Sequence, residues 1–237
     1  MKRVLFIQHD HANPAGILAG CFARLDYSGS EYPAAAGGPY PDPAGYGAVV
    51  ALGADWSVLD PQVQDWLIPE LDFLRRAHRA GVPVLGVCFG AQALALALGG
   101  IVRPAARPEI GWYRLNHYAG LGRDLIPDPG PWFGWHYDRF FPPPGARVLA
   151  HTDAGPQAFA HGRSWGVQFH PEASTDLVRA WLDDGGSTEV TRLGIDPGEL
   201  LEQTRQHEAA AAVRAARLVG SFLAPRPVIR APVTYGG

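Results

Sequence analysis

A short apolar run that turns at once into a helix constrains this chain more than any other feature. Residues 82–87 are too few for a helix and follow Gly81, so they read as a buried strand. After Cys88, residues 91–98 are almost all Ala and Leu, with high helix propensity, and stop at Gly99-Gly100. A strand that enters a helix through Gly86-Val87-Cys88-Phe89-Gly90 is the thiol counterpart of the G-x-S-x-G elbow. The two glycines let backbone pass close by, and Cys88 falls where free N–H groups and the helix dipole favour negative charge. The same turn aims the Phe89 N–H at any oxyanion formed there.

Similar strand–helix units recur. Residues 4–8 read as a first buried strand and 14–25 as its helix, with Asn13 as N-cap and Pro14 at the first helical position. Residues 28–46, rich in Gly, Pro and Ala, read as irregular. Residues 48–53 form the next apolar strand, and Asp60-Pro61 opens a helix to about residue 80 with Val63, Trp66, Leu67, Leu71 and Leu74 on one face. This alternation implies an α/β fold: an open, mostly parallel twisted sheet with helices on both faces. Beyond Gly100, residues 112–117, 147–151, 157–161 and 165–169 look short and β-like, which suggests a small antiparallel extension. Asp196-Pro197-Gly198-Glu199 has the spacing of a capping box and opens a helix through Leu218 and Phe222. The 237 residues suit one domain, read as 1–224, with 225–237 an irregular tail.

The second informative fragment is Trp165-Gly166-Val167-Gln168-Phe169-His170-Pro171-Glu172. Here a strand ends in an imidazole and a carboxylate two positions apart, held by Pro171, a spacing that allows the base-to-orienter hydrogen bond of a nucleophilic triad. Either fragment alone also fits a core cysteine or a surface histidine.

Together the two fragments resemble the class I, triad-type glutamine amidotransferases, in particular stand-alone members similar to the amidotransferase domain of GMP synthase. Arg3 to Asp10, Leu52 to Ser57, Pro108 to Trp112 and Trp135 to Asp138 extend the resemblance, which is weak from about residue 185 onward. It implies a flavodoxin-like fold and a triad of Cys88, His170 and Glu172. In that scheme Cys88 attacks the side-chain amide of L-glutamine, a γ-glutamyl thioester forms, and ammonia passes to an acceptor. The oxyanion hole maps to the N–H groups of Phe89 and Ala54. Gly53-Ala54-Asp55 stands where the family has Gly-Gly-Pro, and a left-handed or very tight conformation there is costly for alanine. The hole is therefore either poised or formed only when a partner docks. Gly53, Gln92, His136 and Asp138 carry over as substrate-binding, with Tyr137 where glycine is usual. Gly111-Trp112 resembles another cleft segment, although a tryptophan at a strand start also reads as core.

Composition narrows the remaining classes. A net charge of −3 with 18% charged residues and no basic run leaves no footprint for nucleic acid or an acidic membrane surface. No apolar stretch approaches the roughly 18 residues of a membrane span. Cys21 and Cys88 lack a secretory segment before them, so a reduced, cytoplasmic setting is expected, with Cys21 buried on a helix. His9-Asp10-His11 offers three polar groups but no supporting ligand pattern, and reads as strand-end residues at an α/β crevice; no metal or cofactor is expected. With no P-loop and no room for a synthase domain, the ammonia acceptor would be a separate synthase or ligase. Trp132, Phe133 and Trp135 read either as a docking patch or as aromatics folded onto the core. Two rivals remain: a γ-glutamyl hydrolase or peptidase-like cysteine hydrolase, and a non-catalytic binding or regulatory protein of the same fold.

Overall fold

The computed structural model describes residues 1–117, 126 and 128–224. In chain order the elements are β1 (Lys2–Gln8), α1 (Gly16–Ala23), β2 (Tyr27–Pro33), β3 (Ala48–Ala51), α2 (Gln64–Arg79), β4 (Val84–Val87), α3 (Phe89–Ala97), β5 (Ile101–Tyr113) and β6 (Trp132–Phe141). They continue with β7 (Arg147–Thr152), β8 (Gly155–His161), β9 (Ser164–Val167), α4 (Thr175–Trp181), α5 (Ser187–Arg192) and α6 (Pro197–Leu223). Seven strands form one sheet in the order β2-β1-β3-β4-β9-β8-β7. The first five run parallel, and β8 and β7 are added antiparallel. This is the expected open parallel sheet with a small antiparallel extension, although residues 165–167, expected in the extension, pair in parallel with β4.

The period of two along β1 divides the core. Val4 and Phe6 face Leu18, Cys21 and Phe22 of α1 and Leu218 and Phe222 of α6. Leu5 and Ile7 face Leu67, Phe73 and Leu74 of α2 and the apolar face of α3. Each such side chain contributes about 1.5–3 kcal/mol on full burial. That outweighs the roughly 1 kcal/mol of a missing N-cap, so α1 stands although it starts at Gly16 with no side-chain cap. The helix was anticipated two residues earlier, capped by Asn13; Asp10 instead captures the Asn13 N–H and side chain in a local turn. Asp60 and Asp196 do cap, accepting from Gln62 N and Glu199 N at 2.8 Å each.

Two strands depart from the sequence reading. Residues 27–33 (YSGSEYP), read as irregular from residue 28 onward, pair in parallel with β1 at the sheet edge, where a mostly exposed strand needs no apolar run. Residues 101–113 form a long strand pairing antiparallel with β6 in a separate two-stranded sheet, with a bulge between Pro104 and Glu109. Proline is tolerated on such edges, and the two prolines had hidden the element, so that only its end at residue 112 looked β-like. The anticipated tail, 225–237, lies outside the described residues.

Candidate active site

β4 ends at Val87 and α3 begins at Phe89, leaving Cys88 alone to make the turn at φ 48° and ψ −107°. Asp26 and Cys88 are the non-glycine residues with positive φ among those described. Such a conformation costs on the order of 1–3 kcal/mol and persists only when its surroundings over-determine it. Here Cys88 N donates to Val167 O at 2.8 Å, and Gln92 N donates to Cys88 O at 3.1 Å. Neither glycine of the elbow has room for a side chain: a Cβ on Gly90 would strike the Ala51 carbonyl, and one on Gly86 the Gly90 carbonyl.

His170 follows β9, and its backbone N–H donates to Phe133 O at 2.8 Å. Its Nδ1 meets Glu172 Oε1 at 2.6 Å, with both side chains buried. Nε2, also buried, has no hydrogen-bond partner among the described residues. Burial works against the charged imidazole, but Glu172 and then Cys88 outweigh it and hold the His170 pKa well above the ordinary histidine value. The Cys88 sulfur accepts from Gln168 Nε2 at 3.6 Å and lies 3.7 Å from Trp135 O, to which it can donate. Trp181 closes over His170 with a ring separation of 5.1 Å.

Across from the sulfur, Gly53 and Ala54 continue β3. Neither has a positive φ, so the conformational cost anticipated for alanine does not arise. Gly53 matters for another reason: a Cβ there would sit 3.2 Å from His170 Cε1 and press on the imidazole. Ala54 and Phe89 border the same cavity as Cys88 and His170. Among the described residues neither Ala54 N–H nor Phe89 N–H has a hydrogen-bond partner. Asp55 N donates to Asp10 Oδ2 at 3.0 Å, and its own carboxylate accepts from Asn13 Nδ2 at 3.2 Å. Burial, then the Asp10 charge, push the Asp55 pKa upward.

The cavity has a volume of about 660 Å³, within the range of small-molecule sites. Gln92, His136 and Asp138 all border it. Gln92 Nε2 donates to Gln168 Oε1 and to Asp138 O, both at 3.4 Å. His136 and Asp138 lie on β6; Asp138 Oδ2 accepts from Ser57 Oγ at 2.5 Å, and His136 Nε2 is 3.1 Å from Glu109. Gly53 stands behind His170 and does not border the cavity. Trp112 does not reach it either: its indole N–H donates to Thr204 Oγ1 at 3.1 Å and its ring packs on Phe133 and His207. Trp132 and Phe133 are core residues, 2% and 0% exposed, which leaves no docking patch there.

The sequence reading missed the far wall. Trp135, Trp181, Asp184, Glu189 and Arg192 border the cavity, and Glu189 accepts from Trp135 Nε1 at 2.9 Å and Tyr137 OH at 2.7 Å. It also missed that His9 pairs with Glu70, a carboxylate set among the apolar residues of α2. That break in the apolar face of α2 was the available signal. No group of three or more potential metal-ligating side chains occurs among the described residues, and no helix among them is long and apolar enough to cross a membrane.

A family model described as glutamine amidotransferase class-I matches residues 61–183. The chain is similar to the glutamine-hydrolyzing GMP synthase of Thermus thermophilus, 39% identical over 131 residues that cover 54% of this chain and 25% of that protein. It is also similar to one subunit of the glutamine-hydrolyzing GMP synthase of Saccharolobus solfataricus, 40% identical over 100 residues, 38% of this chain and 51% of the other. The matched stretch thus spans between a quarter and a half of these relatives. Among solved structures, a glutamine amidotransferase from Thermotoga maritima superposes with a TM-score of 0.84 at 26% identity, covering 94% of this chain and 98% of that one. A second, from Methylobacillus flagellatus, has a TM-score of 0.82 at 24% identity over 94% of each chain, and shares the fold.

Proposed function

This chain belongs to the class-I glutamine amidotransferase family, and on that premise we propose that it hydrolyses the side-chain amide of L-glutamine through a covalent intermediate on Cys88. The buried His170–Glu172 pair carries this reading: one imidazole nitrogen is bonded, and the other is unbonded beside the cavity onto which Cys88 opens.

The Cys88 thiolate attacks the amide carbon, and the carbonyl electron pair moves onto oxygen, where the Ala54 and Phe89 N–H groups stabilise it. As the C–N bond breaks, the departing nitrogen takes a proton from His170 and leaves as ammonia, with a γ-glutamyl thioester remaining. His170 next removes a proton from water, whose oxygen adds to the thioester carbon. The C–S bond breaks, glutamate leaves and the thiolate returns. Glu172 keeps the imidazole in the tautomer and orientation this needs. Asp138 pairs with the substrate ammonium, Gln92 holds its main-chain groups with His136 beside it, and Gly53 leaves room for the imidazole.

We assign residues 1–224 to one domain. The ammonia goes to a separate synthase or ligase, a division of labour supported by the Saccharolobus relative, which is named as one subunit of its synthase. Both cysteines are free thiols, which fits the cytoplasmic setting we infer. Incubation with a glutamine-like electrophile should add one label at Cys88 by intact mass, and glutamine should yield glutamate; no label and no glutamate would overturn the glutaminase reading. A second reading draws on the cavity, which extends past the triad to Glu189 and Arg192 and has more room than an amino acid requires. Faster turnover of γ-glutamyl peptides than of glutamine would favour a γ-glutamyl hydrolase.

A further inference from the structure

His9 follows the last residue of β1 and is not part of the triad, yet its ring is wholly buried against both halves of the proposed oxyanion hole. Its Nδ1 meets the Gly53 carbonyl at 3.0 Å, and its Nε2 meets Glu70 Oε2 on α2 at 2.9 Å. Both side chains are fully inaccessible. The imidazole also packs 4.7 Å from the Phe89 ring. With Nδ1 donating to the carbonyl and Nε2 held by the Glu70 carboxyl, the ring is used up by the two bonds.

The Gly53 carbonyl and the Ala54 N–H belong to one planar trans peptide, so they point in opposite directions. A donor fixed on the carbonyl therefore fixes the direction of the N–H. Asp10 secures the next peptide: its Oδ2 accepts the Asp55 N–H at 3.0 Å, while Oδ1 is held by Ala12 N, Asn13 N and Asn13 Nδ2. Between these two anchors the Ala54 N–H is left unbonded at the cavity wall. A buried ion pair such as His9–Glu70 adds little net stability, because desolvation offsets most of its attraction. Its significance lies in what it positions.

We propose that His9, anchored by Glu70, is a positioning residue that locks the Gly53–Ala54 peptide with its N–H toward the cavity, so that the oxyanion hole is complete without a partner protein. The inference rests on the reading of Ala54 as an oxyanion donor in glutamine hydrolysis. It also assigns a role to the Asp55 that replaces proline in this chain: only a residue with an N–H can be held by Asp10.

The test compares two full-length double variants, His9→Phe/Glu70→Leu and His9→Asn/Glu70→Leu. Both remove the buried carboxylate, so neither leaves a charge unpaired. Phenylalanine keeps the ring without a donor, whereas the asparagine amide lies where Nδ1 was and still reaches the Gly53 carbonyl. In the first variant kcat for glutamate release falls by about 10- to 100-fold at nearly unchanged KM, and the second regains most of it. Alkylation of Cys88 by iodoacetamide, a displacement that forms no oxyanion, keeps the parental rate in both. An undiminished kcat in the phenylalanine variant, or an equal loss of alkylation, overturns the proposal, as does a parental chain that needs a synthase before it releases glutamate. Where the phenylalanine variant does not fold, His9→Leu/Glu70→Leu, which also removes the donor, takes its place: kcat falls while alkylation does not, or the proposal fails. A parental chain that is alkylated but never releases glutamate under any condition refutes the glutaminase reading itself, and this inference with it.

Discussion

His170 and His9 each meet a glutamate within hydrogen-bond distance, at 2.6 and 2.9 Å, and each is buried. Burial disfavours the imidazolium in both, the neighbouring carboxylate more than offsets it, and both pKa values are raised above 6.5. The difference is in the second nitrogen. That of His9 is spent on the Gly53 carbonyl, and that of His170 has no hydrogen-bond partner among the described residues and is left to Cys88. One chemical unit can thus serve as a strut where both ring nitrogens are bonded and as an acid–base group where one is left over. What a buried imidazole does is decided by its unsatisfied nitrogen and not by its pKa.

Removing the group that the open nitrogen serves breaks the comparison most severely. Cys88→Ala should lower glutamate release by about 10⁴- to 10⁶-fold and abolish labelling by a glutamine-like electrophile, with an unchanged circular dichroism spectrum. Glu172→Gln comes next. It keeps the shape of the open pair but not its charge, leaves burial to depress the His170 pKa, and should reduce kcat by about 10³- to 10⁴-fold. Steady-state kinetics would show whether Glu172→Gln costs far more than Glu70→Gln; equal losses would erase the distinction between the pairs.

The closed pair can be isolated by pH. Its folded pKa lies above the unfolded value of 6.5, so the folded state binds the proton more tightly, and this stabilisation is fully present below pH 6.5 and lost as the pH rises through the raised value. The stability advantage of the parental chain over His9→Phe/Glu70→Leu should therefore shrink from pH 6.5 upward in denaturant titrations, with the His170 contribution cancelling because it is common to both. A gap that widens with pH would contradict the assignment. The smallest effect belongs to Ala54→Gly. Because Ala54 has no positive φ, glycine gains nothing there: kcat should stay near parental, while thermal unfolding reports a loss of about 0.4–1 kcal/mol from the looser unfolded chain.

The open pair was legible in the sequence because every part of it is local. Cys88 lies between two glycines at a strand–helix junction, and His170 and Glu172 are two residues apart at the end of a strand. The closed pair was not, because Glu70 is 61 residues from His9 and reads as an ordinary helix carboxylate until packing buries it. Distance along the chain also hid Trp181, whose indole N–H donates to Ala12 O at 2.8 Å, and Glu189, in a segment without a local motif. β2 and β5 escaped for a different reason. Hydrogen bonding to a neighbour defines them, and mostly exposed or proline-bearing edges carry little of the apolar pattern by which strands are read. Asn13 was misjudged because Asp10, three residues earlier, competed for the same groups.

β4 lies between β3 and β9, and this has a consequence for how the protein is made. Its four residues are all buried, yet the strand that covers one side of it is encoded far downstream, beginning at Ser164. A ribosome adding about 5–20 residues per second needs several seconds to go from one to the other. For that interval the nascent chain holds out an apolar strand with an open edge, a template for pairing with another chain, and the Cys88 N–H still lacks the Val167 carbonyl that completes its turn. The nascent chain is therefore exposed to pairing with another chain from the synthesis of β4 until that of β9, and a translation pause between the two would lengthen that interval.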